Sequence, residues 1–285
     1  MLEQKQFMSL REVKKIVKAI QTSDGAGVKL KRSIGIPDLD FIDPFLLFDE
    51  FGSENKDDYI AGFPPHPHRG IETVTYMLAG RFKHEDSTGS KGEMGPGSVQ
   101  WMTAAKGIIH SEMPIMQEGK LHGFQLWVNM PAKLKMTKPS YQNIEPKNIP
   151  EFQDKEKKIK IISGKYQYKI GPIKGISVDP IYLDIELEKM KNFDYTIPSS
   201  HNVFIYLVYG EIKIGNKVHE RLQNSTLICL TNGKDLKISS IKKSQFLIIA
   251  GKPIGESIAR GGPFVMNTKQ EILKAVEDYH SGNFV

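Results

Sequence analysis

The chain alternates short apolar runs with turn-forming residues over most of its length. The runs are rich in Val, Ile, Tyr, Phe and Thr, and Gly, Pro, Asn and Asp interrupt them at close intervals. This rhythm is typical of an all-β sandwich or barrel, because short strands need frequent turns. Only short segments near the C-terminus, such as residues 268–279, have a pattern that predicts helix. The sequence therefore predicts an all-β protein with a few short helices.

The chain is expected to form two domains. Its 285 residues exceed the usual size of a single domain. The prolines and polar residues of 146–154 interrupt the strand pattern just past the midpoint. We therefore place an N-terminal domain at 1–145 and a C-terminal domain at 146–285.

The two halves also resemble each other over a short segment. A stretch that contains Tyr76 and Gly80 aligns with a second stretch 130 residues later. Tyr206 and Gly210 take the matching positions there. Because the offset is close to half the chain length, it indicates a tandem duplication, and we expect the same fold in both halves.

The charge distribution and the cysteine content argue against several classes of binding partner and metal site. The net charge of +6 is spread through mixed basic and acidic segments such as 155–160, so nucleic-acid binding is not expected. Cys229 is the only cysteine, which rules out an intrachain disulfide and a cysteine-rich zinc site. The first 20 residues carry scattered charges, and no stretch approaches the ~18 apolar residues of a membrane span. We expect a monomeric cytoplasmic protein with no signal peptide and no membrane segment.

Two pairs of ligand-capable residues carry the candidate chemistry. They are His66-Pro-His68 and His110-Ser-Glu112. Because residues two apart on a strand point to the same face, two such strands facing each other could supply four ligands to one metal. A single histidine is usually structural, but three of the eight histidines fall in these two motifs. The sequence therefore predicts a metal site in the N-terminal half.

The second half of the chain serves as an internal comparison. At the offset of 130, Thr196 and Pro198 take the places of the first two histidines. The segment near Ile238, which matches the third, contains no histidine. Histidines that were needed for folding should occur in both copies. We therefore expect one metal per chain, bound by the N-terminal domain, and a C-terminal domain without ligands.

The two motifs resemble those of the cupin superfamily. Segment 66–80 is similar to the first cupin motif, and segment 97–110 is similar to the second. Ala105 and Pro114 depart from the second motif, and Glu112 is an additional ligand-capable residue. These departures resemble one branch of the superfamily, the pirins.

The resemblance to pirins extends over the whole chain. From His66 to Pro114 the sequence is similar to the pirin signature almost residue for residue. Further similar segments lie at 43–49, 123–129 and 262–267. The resemblance implies a bicupin, that is, two tandem antiparallel β-barrel domains of the jelly-roll type.

The same resemblance implies a set of site residues. Four side chains would hold the metal: His66, His68, His110 and Glu112. Glu72 is expected to support the site, for example by orienting a histidine ring, rather than to bind the metal, and His84, which follows Gly80 toward a turn, is expected to face away from the site. The remaining histidines are expected to be structural or solvated: His122, His201, His219 and His280.

The ligand set does not identify the metal. Three imidazoles and one carboxylate suit iron, manganese, cobalt, nickel, copper or zinc, and the pirin resemblance puts Fe(II) first. Four side chains on a six-coordinate metal leave positions open, as in a catalytic site.

The resemblance implies an enzyme and leaves an alternative. The enzyme would be a quercetin 2,3-dioxygenase, which uses O2 to cleave a small aromatic flavonol with release of carbon monoxide. Glu112 would then take the proton of the flavonol 3-hydroxyl. The alternative is a non-catalytic, redox-responsive iron protein that binds a transcriptional or metabolic protein partner. A sugar isomerase of the cupin type lacks specific support.

Overall fold

The computed structural model describes residues 9–115, 119–216, 222 and 224–285, which are mostly β-strand. The strands, in chain order, are β1 (Val13–Lys18), β2 (Ile20–Asp24), β3 (Val28–Ile34), β4 (Phe45–Ser53), β5 (Phe63–His68), β6 (Ile71–Ala79), β7 (Phe82–Asp86), β8 (Lys91–Met94), β9 (Val99–Thr103), β10 (Ile108–Pro114), β11 (Leu121–Asn129), β12 (Ser140–Ile144), β13 (Glu151–Gln153), β14 (Lys157–Ser163), β15 (Lys165–Tyr166), β16 (Lys169–Ile170), β17 (Ile181–Leu187), β18 (Asn192–Thr196), β19 (Asn202–Ile214), β20 (Thr226–Leu230), β21 (Asp235–Gly251), β22 (Ala259–Gly261) and β23 (Phe264–Met266). The helices are α1 (Lys269–Ser281) and three short 3-10 turns, Lys56–Asp58, Ala132–Leu134 and Pro146–Asn148. Within the described residues, no helix has the length and apolar character to cross a membrane.

The chain folds into two compact units, and each unit includes one end of the chain that is distant in sequence from the rest of that unit. The site unit comprises Ile20–Pro146 and Ile254–Val285, and the second unit comprises the chain up to Ala19 together with Lys147–Pro253. β1 belongs to the second unit because it pairs with β20. β22, β23 and α1 belong to the site unit. The contiguous domains predicted at 1–145 and 146–285 therefore differ from these units at both ends of the chain.

The site unit is a sandwich of two antiparallel sheets. One sheet has the order β12-β9-β6-β11-β4-β3-β2, and the other has the order β5-β10-β7-β8. Phe51 of β4, Met77 of β6 and Phe82 of β7 join one buried apolar cluster that both sheets share. Because such interiors are normally apolar, the buried polar residues of β5, β10 and β7 stand out as a candidate site.

The second unit repeats the central part of this arrangement. Its main sheet has the order β1-β20-β19-β21-β17-β14-β13, and β18 also pairs with β21. The series β20-β19-β21-β17-β14 matches β9-β6-β11-β4-β3 of the site unit. Tyr76 and Tyr206 are both fully buried, and Gly80 and Gly210 both have positive φ, at 80° and 101°. These matches support the duplication.

The predicted fold class is confirmed, with one difference. The architecture is all-β, with one described α-helix and two jelly-roll halves. Among the described residues, however, the hydrogen-bonded sheets stay open and do not close into continuous barrels.

The helix predicted near the C-terminus is confirmed as α1. Thr268 is its N-cap, and the Thr268 hydroxyl and the Glu271 carboxylate bond reciprocally to each other's backbone amides. This capping box satisfies amides that have no partner inside the helix. Gly282 ends the helix in the left-handed conformation, with φ of 79°.

Candidate metal centre

The three predicted histidines converge on β5 and β10. These strands are antiparallel neighbours, with His66 opposite His110 and Ile108 opposite His68. The ring centroids are 4.4 Å apart for His66 and His110, 4.9 Å for His66 and His68, and 5.1 Å for His68 and His110. One candidate ligand nitrogen from each ring lies within 4.8 Å of the other two. The structure therefore brings three of the four predicted ligands together.

Proline and glycine residues shape the backbone in β5 and directly after it. β5 contains Pro64, Pro65 and Pro67 and lies at the edge of its sheet, where a residue without an N–H is tolerated. Gly70 follows with φ of 79°, and a Cβ there would lie 2.0 Å from the Val265 carbonyl oxygen. Only glycine allows the chain to turn so close to β23.

Two of the imidazoles are held in the neutral form. His68 is 2% exposed and His110 is 1% exposed. Burial, followed by the nearby His66, lowers the pKa of His68 to about 3. Burial and the neighbouring histidines also lower the pKa of His110 well below its usual value. Because a metal binds the deprotonated ring nitrogen, neutral imidazoles are ready ligands.

The three histidines differ in the hydrogen-bond partners of their ring nitrogens. His66 Nδ1 lies 2.8 Å from the Pro64 carbonyl oxygen, and His68 Nδ1 lies 3.4 Å from the Pro263 carbonyl oxygen. Among the described residues, neither ring nitrogen of His110 has a hydrogen-bond partner, although both are buried. A buried polar atom seldom remains unsatisfied, so His110 fits the role of a ligand to a further group.

Glu112 lies beside this group but not within it. The register of β5 and β10 shifts between His110 and Glu112, and the Glu112 side chain is buried. Thr75 Oγ1 lies 2.8 Å from Glu112 Oε1, and Gln125 Nε2 donates to Glu112 Oε2 at 3.2 Å. The carboxylate is thus held by β6 and β11 of the facing sheet. Its role as a fourth ligand stays a prediction.

A cavity of about 710 Å³ adjoins the site, and His66, His68 and Glu112 are among the residues that line it. Further apolar lining residues are Leu46, Leu47, Phe51, Phe63 and Trp127. Polar groups on the wall include Arg32, Asp49, Gln125 and Arg260. The Trp127 ring meets the His68 ring edge to face, with centroids 5.0 Å apart. Apolar walls with a few polar groups are typical of sites for small molecules.

His84 faces the site, and the expectation that it faces away was wrong. Its side chain is 1% exposed, and its ring centroid lies 5.4 Å from that of His110. β7 pairs with β10 so that His84 stands opposite Glu112. The alternation of buried Phe82 and His84 with exposed Lys83 is the sequence signal that could have identified it.

Glu72 does not orient a histidine ring. Its carboxylate accepts hydrogen bonds from Trp101 Nε1 and Thr103 Oγ1, each at 3.1 Å. Burial raises the pKa of Glu72 to about 7, although these hydrogen bonds act in the opposite direction. Glu72 is therefore a buried structural acid of β6.

The other histidines agree with the expectation where they are described. His122 Nε2 lies 2.9 Å from Glu50, and His201 Nε2 lies 2.9 Å from the Asp179 carbonyl oxygen. His280 is exposed on α1. His219 lies outside the described residues.

Comparison with known proteins gives consistent matches over the whole chain. The Pirin family profile matches residues 27–128, and the profile of the pirin C-terminal cupin domain matches residues 182–285. A pirin-like protein of Caulobacter vibrioides is 43% identical over 279 residues, covering 97% of this chain and all of its own. A Pseudomonas aeruginosa protein provisionally named a quercetin 2,3-dioxygenase is 43% identical over 277 residues, covering 95% and 97%. The crystal structure of a quercetin 2,3-dioxygenase from Acinetobacter baumannii matches with a TM-score of 0.88 at 30% identity, covering 97% of this chain and 99% of that one.

Proposed function

The chain belongs to the pirin family, and on that premise we propose that it is a metal-dependent dioxygenase. Its substrates would be flavonols such as quercetin, which it would cleave with O2 and release of carbon monoxide. The observation that carries the proposal is the convergence of three imidazoles, two of them buried and neutral, beside a cavity of about 710 Å³. The similar proteins from Pseudomonas and Acinetobacter, by their names, support the same reaction class.

The residues present fit one divalent transition metal. Four side chains would hold it: His66, His68, His110 and Glu112. A donor set of three nitrogens and one carboxylate suits Fe(II), which the family puts first, and also manganese, cobalt, nickel, copper and zinc. When bound, such a metal supplies Lewis acidity and, in the case of iron, one-electron chemistry at the wall of the cavity.

Glu112 would accept the proton of the flavonol 3-hydroxyl. Thr75 Oγ1 lies 2.8 Å from Glu112 Oε1 and 2.6 Å from Gln125 Oε1, but a hydroxyl has a single proton to donate. When Glu112 is ionised, Thr75 donates to it. When Glu112 Oε1 carries a proton, it donates to Thr75, which then turns its own proton toward Gln125. This network supports both protonation states of the base.

The cavity supports a planar aromatic substrate. A flavonol offers adjacent 3-hydroxyl and 4-carbonyl oxygens at one edge, which would lie toward the histidines. Its aromatic rings would contact Phe51, Phe63 and Trp127 on the cavity wall. These apolar contacts would orient the substrate and exclude water from the reacting edge.

Turnover of quercetin tests this proposal directly. Protein loaded anaerobically with Fe(II) and then exposed to air with quercetin should consume O2 and release carbon monoxide. Chelator-treated protein, assayed in parallel, should do neither. If the fully loaded protein releases no carbon monoxide with any flavonol, the dioxygenase proposal is wrong, and the redox-responsive binding protein becomes the better hypothesis.

A further inference from the structure

A second buried polar group lies next to His110. We call His84, Asp86, His110 and Tyr141 the inner cluster, and none of the four is among the residues that line the cavity. The His84 ring centroid lies 5.4 Å from that of His110 and 5.0 Å from that of Tyr141. His84 Nε2 lies 3.5 Å from Asp86 Oδ2. The cluster thus joins one predicted metal ligand to a buried carboxylate.

Several buried polar atoms of the inner cluster have no hydrogen-bond partner in the described part of the chain. Within the described part of the chain, no hydrogen-bond partner is found for either ring nitrogen of His84 or His110, for Asp86 Oδ2 or for the Tyr141 hydroxyl. All of these atoms are buried. Buried polar atoms are satisfied in nearly all proteins, and an internal water bonded to about three of them is a common solution.

Hydrogen bonds to its other oxygen hold Asp86 in place. Asp86 Oδ1 accepts from the Thr88 amide at 2.7 Å, the Thr88 hydroxyl at 2.6 Å and the Ser90 amide at 3.2 Å. These bonds fix the carboxyl group, so Oδ2 is an acceptor held beside His84.

His110 is the ligand that needs such a neighbour. A metal-bound histidine generally donates its second ring N–H to a carboxylate, a carbonyl or a water, which fixes the ring and raises its basicity. Backbone carbonyl oxygens of Pro64 and Pro263 lie within reach of the Nδ1 atoms of His66 and His68. For His110, the His84 ring centroid lies 5.4 Å away, and Asp86 stands opposite His110 in the pairing of β7 and β10.

We propose that one ordered water occupies the inner cluster and links His110 to His84 and Asp86, which act as positioning residues for His110. Tyr141 would give the same water a further hydrogen bond. The effect on the metal rests on the proposed function, whereas the water site itself does not.

A crystal structure of the metal-free protein tests the water site. One water should lie within hydrogen-bond distance of at least three of the polar atoms of the inner cluster. A cluster that contains no water, or in which a ring nitrogen of His110 bonds directly to another side chain, would overturn the proposal. This result does not depend on whether the protein turns over flavonols.

Metal binding tests the positioning role. His84→Phe keeps a ring against Tyr141 but removes both nitrogens, and Asp86→Asn removes the charge with little change of shape. Each variant should bind Co(II) about 10–100-fold more weakly than the wild type, as expected when an outer partner of a ligand is lost. The visible ligand-field bands of bound Co(II) should also shift. His122→Phe, at a histidine of the same unit that bonds to Glu50, is the matched control and should bind as the wild type does.

The outcomes separate this inference from the proposed function. Folded His84→Phe and Asp86→Asn variants with the affinity and spectrum of the wild type would overturn the positioning role. If His84→Phe instead abolishes Co(II) binding as completely as His110→Ala, His84 is a ligand and the proposal is also wrong. A wild-type protein that binds no metal would contradict the proposed function and, with it, the positioning role, while the water site would still stand on the crystal structure.

Discussion

The buried carboxyl of Glu72 should make the stability of the site unit depend on pH. Glu72 is 5% exposed, and burial raises its pKa from the usual 4.5 to about 7. The substitution Glu72→Gln keeps the shape of the side chain and removes its charge. The glutamine oxygen can still accept from Trp101, and its amide can donate to the Thr103 hydroxyl.

The size and sign of the effect follow from the two pKa values. A pKa difference of one corresponds to about 1.4 kcal/mol, so a rise from 4.5 to about 7 corresponds to about 3.5 kcal/mol. Because the pKa is raised in the folded state, this stabilisation is fully present below pH 4.5. It is lost as the pH rises to about 7, since the folded protein must then bury a charge. Above pH 7, Glu72→Gln should therefore be more stable than the wild type by up to about 3.5 kcal/mol.

Tryptophan fluorescence can follow this unit alone. The chain has two tryptophans, Trp101 and Trp127, and both lie in the site unit. Urea unfolding measured between pH 4 and pH 8 should give curves for the wild type and Glu72→Gln that diverge as the pH rises. Glu54→Gln, at an exposed glutamate of the same unit, is the control and should follow the wild type. The difference between two variants cancels the contributions of other carboxyl groups.

Two results would refute this reasoning. Parallel pH dependences for the wild type and Glu72→Gln would show that the Glu72 carboxyl is ionised at the same pH in the folded and unfolded chains. A loss of bound metal in Glu72→Gln as large as in His110→Ala would show that Glu72 is a ligand rather than a structural acid.

Three further predictions concern the site. Elemental analysis should find about one transition metal per chain, and His110→Ala should lose most of it while circular dichroism stays unchanged; two tightly bound metals would contradict the site assignment. Glu112→Gln, compared per bound metal, should turn over quercetin on the order of 10²–10⁴-fold more slowly, because the amide cannot accept the hydroxyl proton; an unchanged rate would remove the base role. Asp278→Asn should lower the stability of the site unit, because it removes the charged partner that lies 2.7 Å from buried Arg69, and tryptophan fluorescence in urea, with Lys269→Gln at an exposed lysine of the same helix as control, would measure it.

Local patterns were sufficient for the fold class and for most of the candidate ligands. Strand periodicity places His66 and His68 on one face of β5, and Thr268 marks the start of α1. Each of these features depends on residues close together in sequence, where spacing determines direction.

Features that depend on distant segments could not be predicted. The pairing of β1 with β20 and the place of Pro263 beside His68 involve residues far apart in sequence, and strand periodicity carries no information on which strands become neighbours. The position of Glu112 likewise depends on Thr75 and Gln125 of the facing sheet. His84 is different, since the alternation of Phe82 and His84 with the charged Lys83 and Glu85 was present in the sequence.

The site unit is completed late in synthesis, because it includes a C-terminal segment that is distant in sequence from the rest of the unit. His68 is 195 residues ahead of Pro263, and Arg69 is 209 residues ahead of Asp278. At a translation rate of about 5–20 residues per second, the ribosome takes roughly 10–40 s to extend the chain from β5 to β23 and α1. Only then are the segments that surround the histidines of β5 complete. During that interval the nascent chain presents its imidazoles without β23 and α1, so stable binding of one metal should begin only after α1 has left the ribosome.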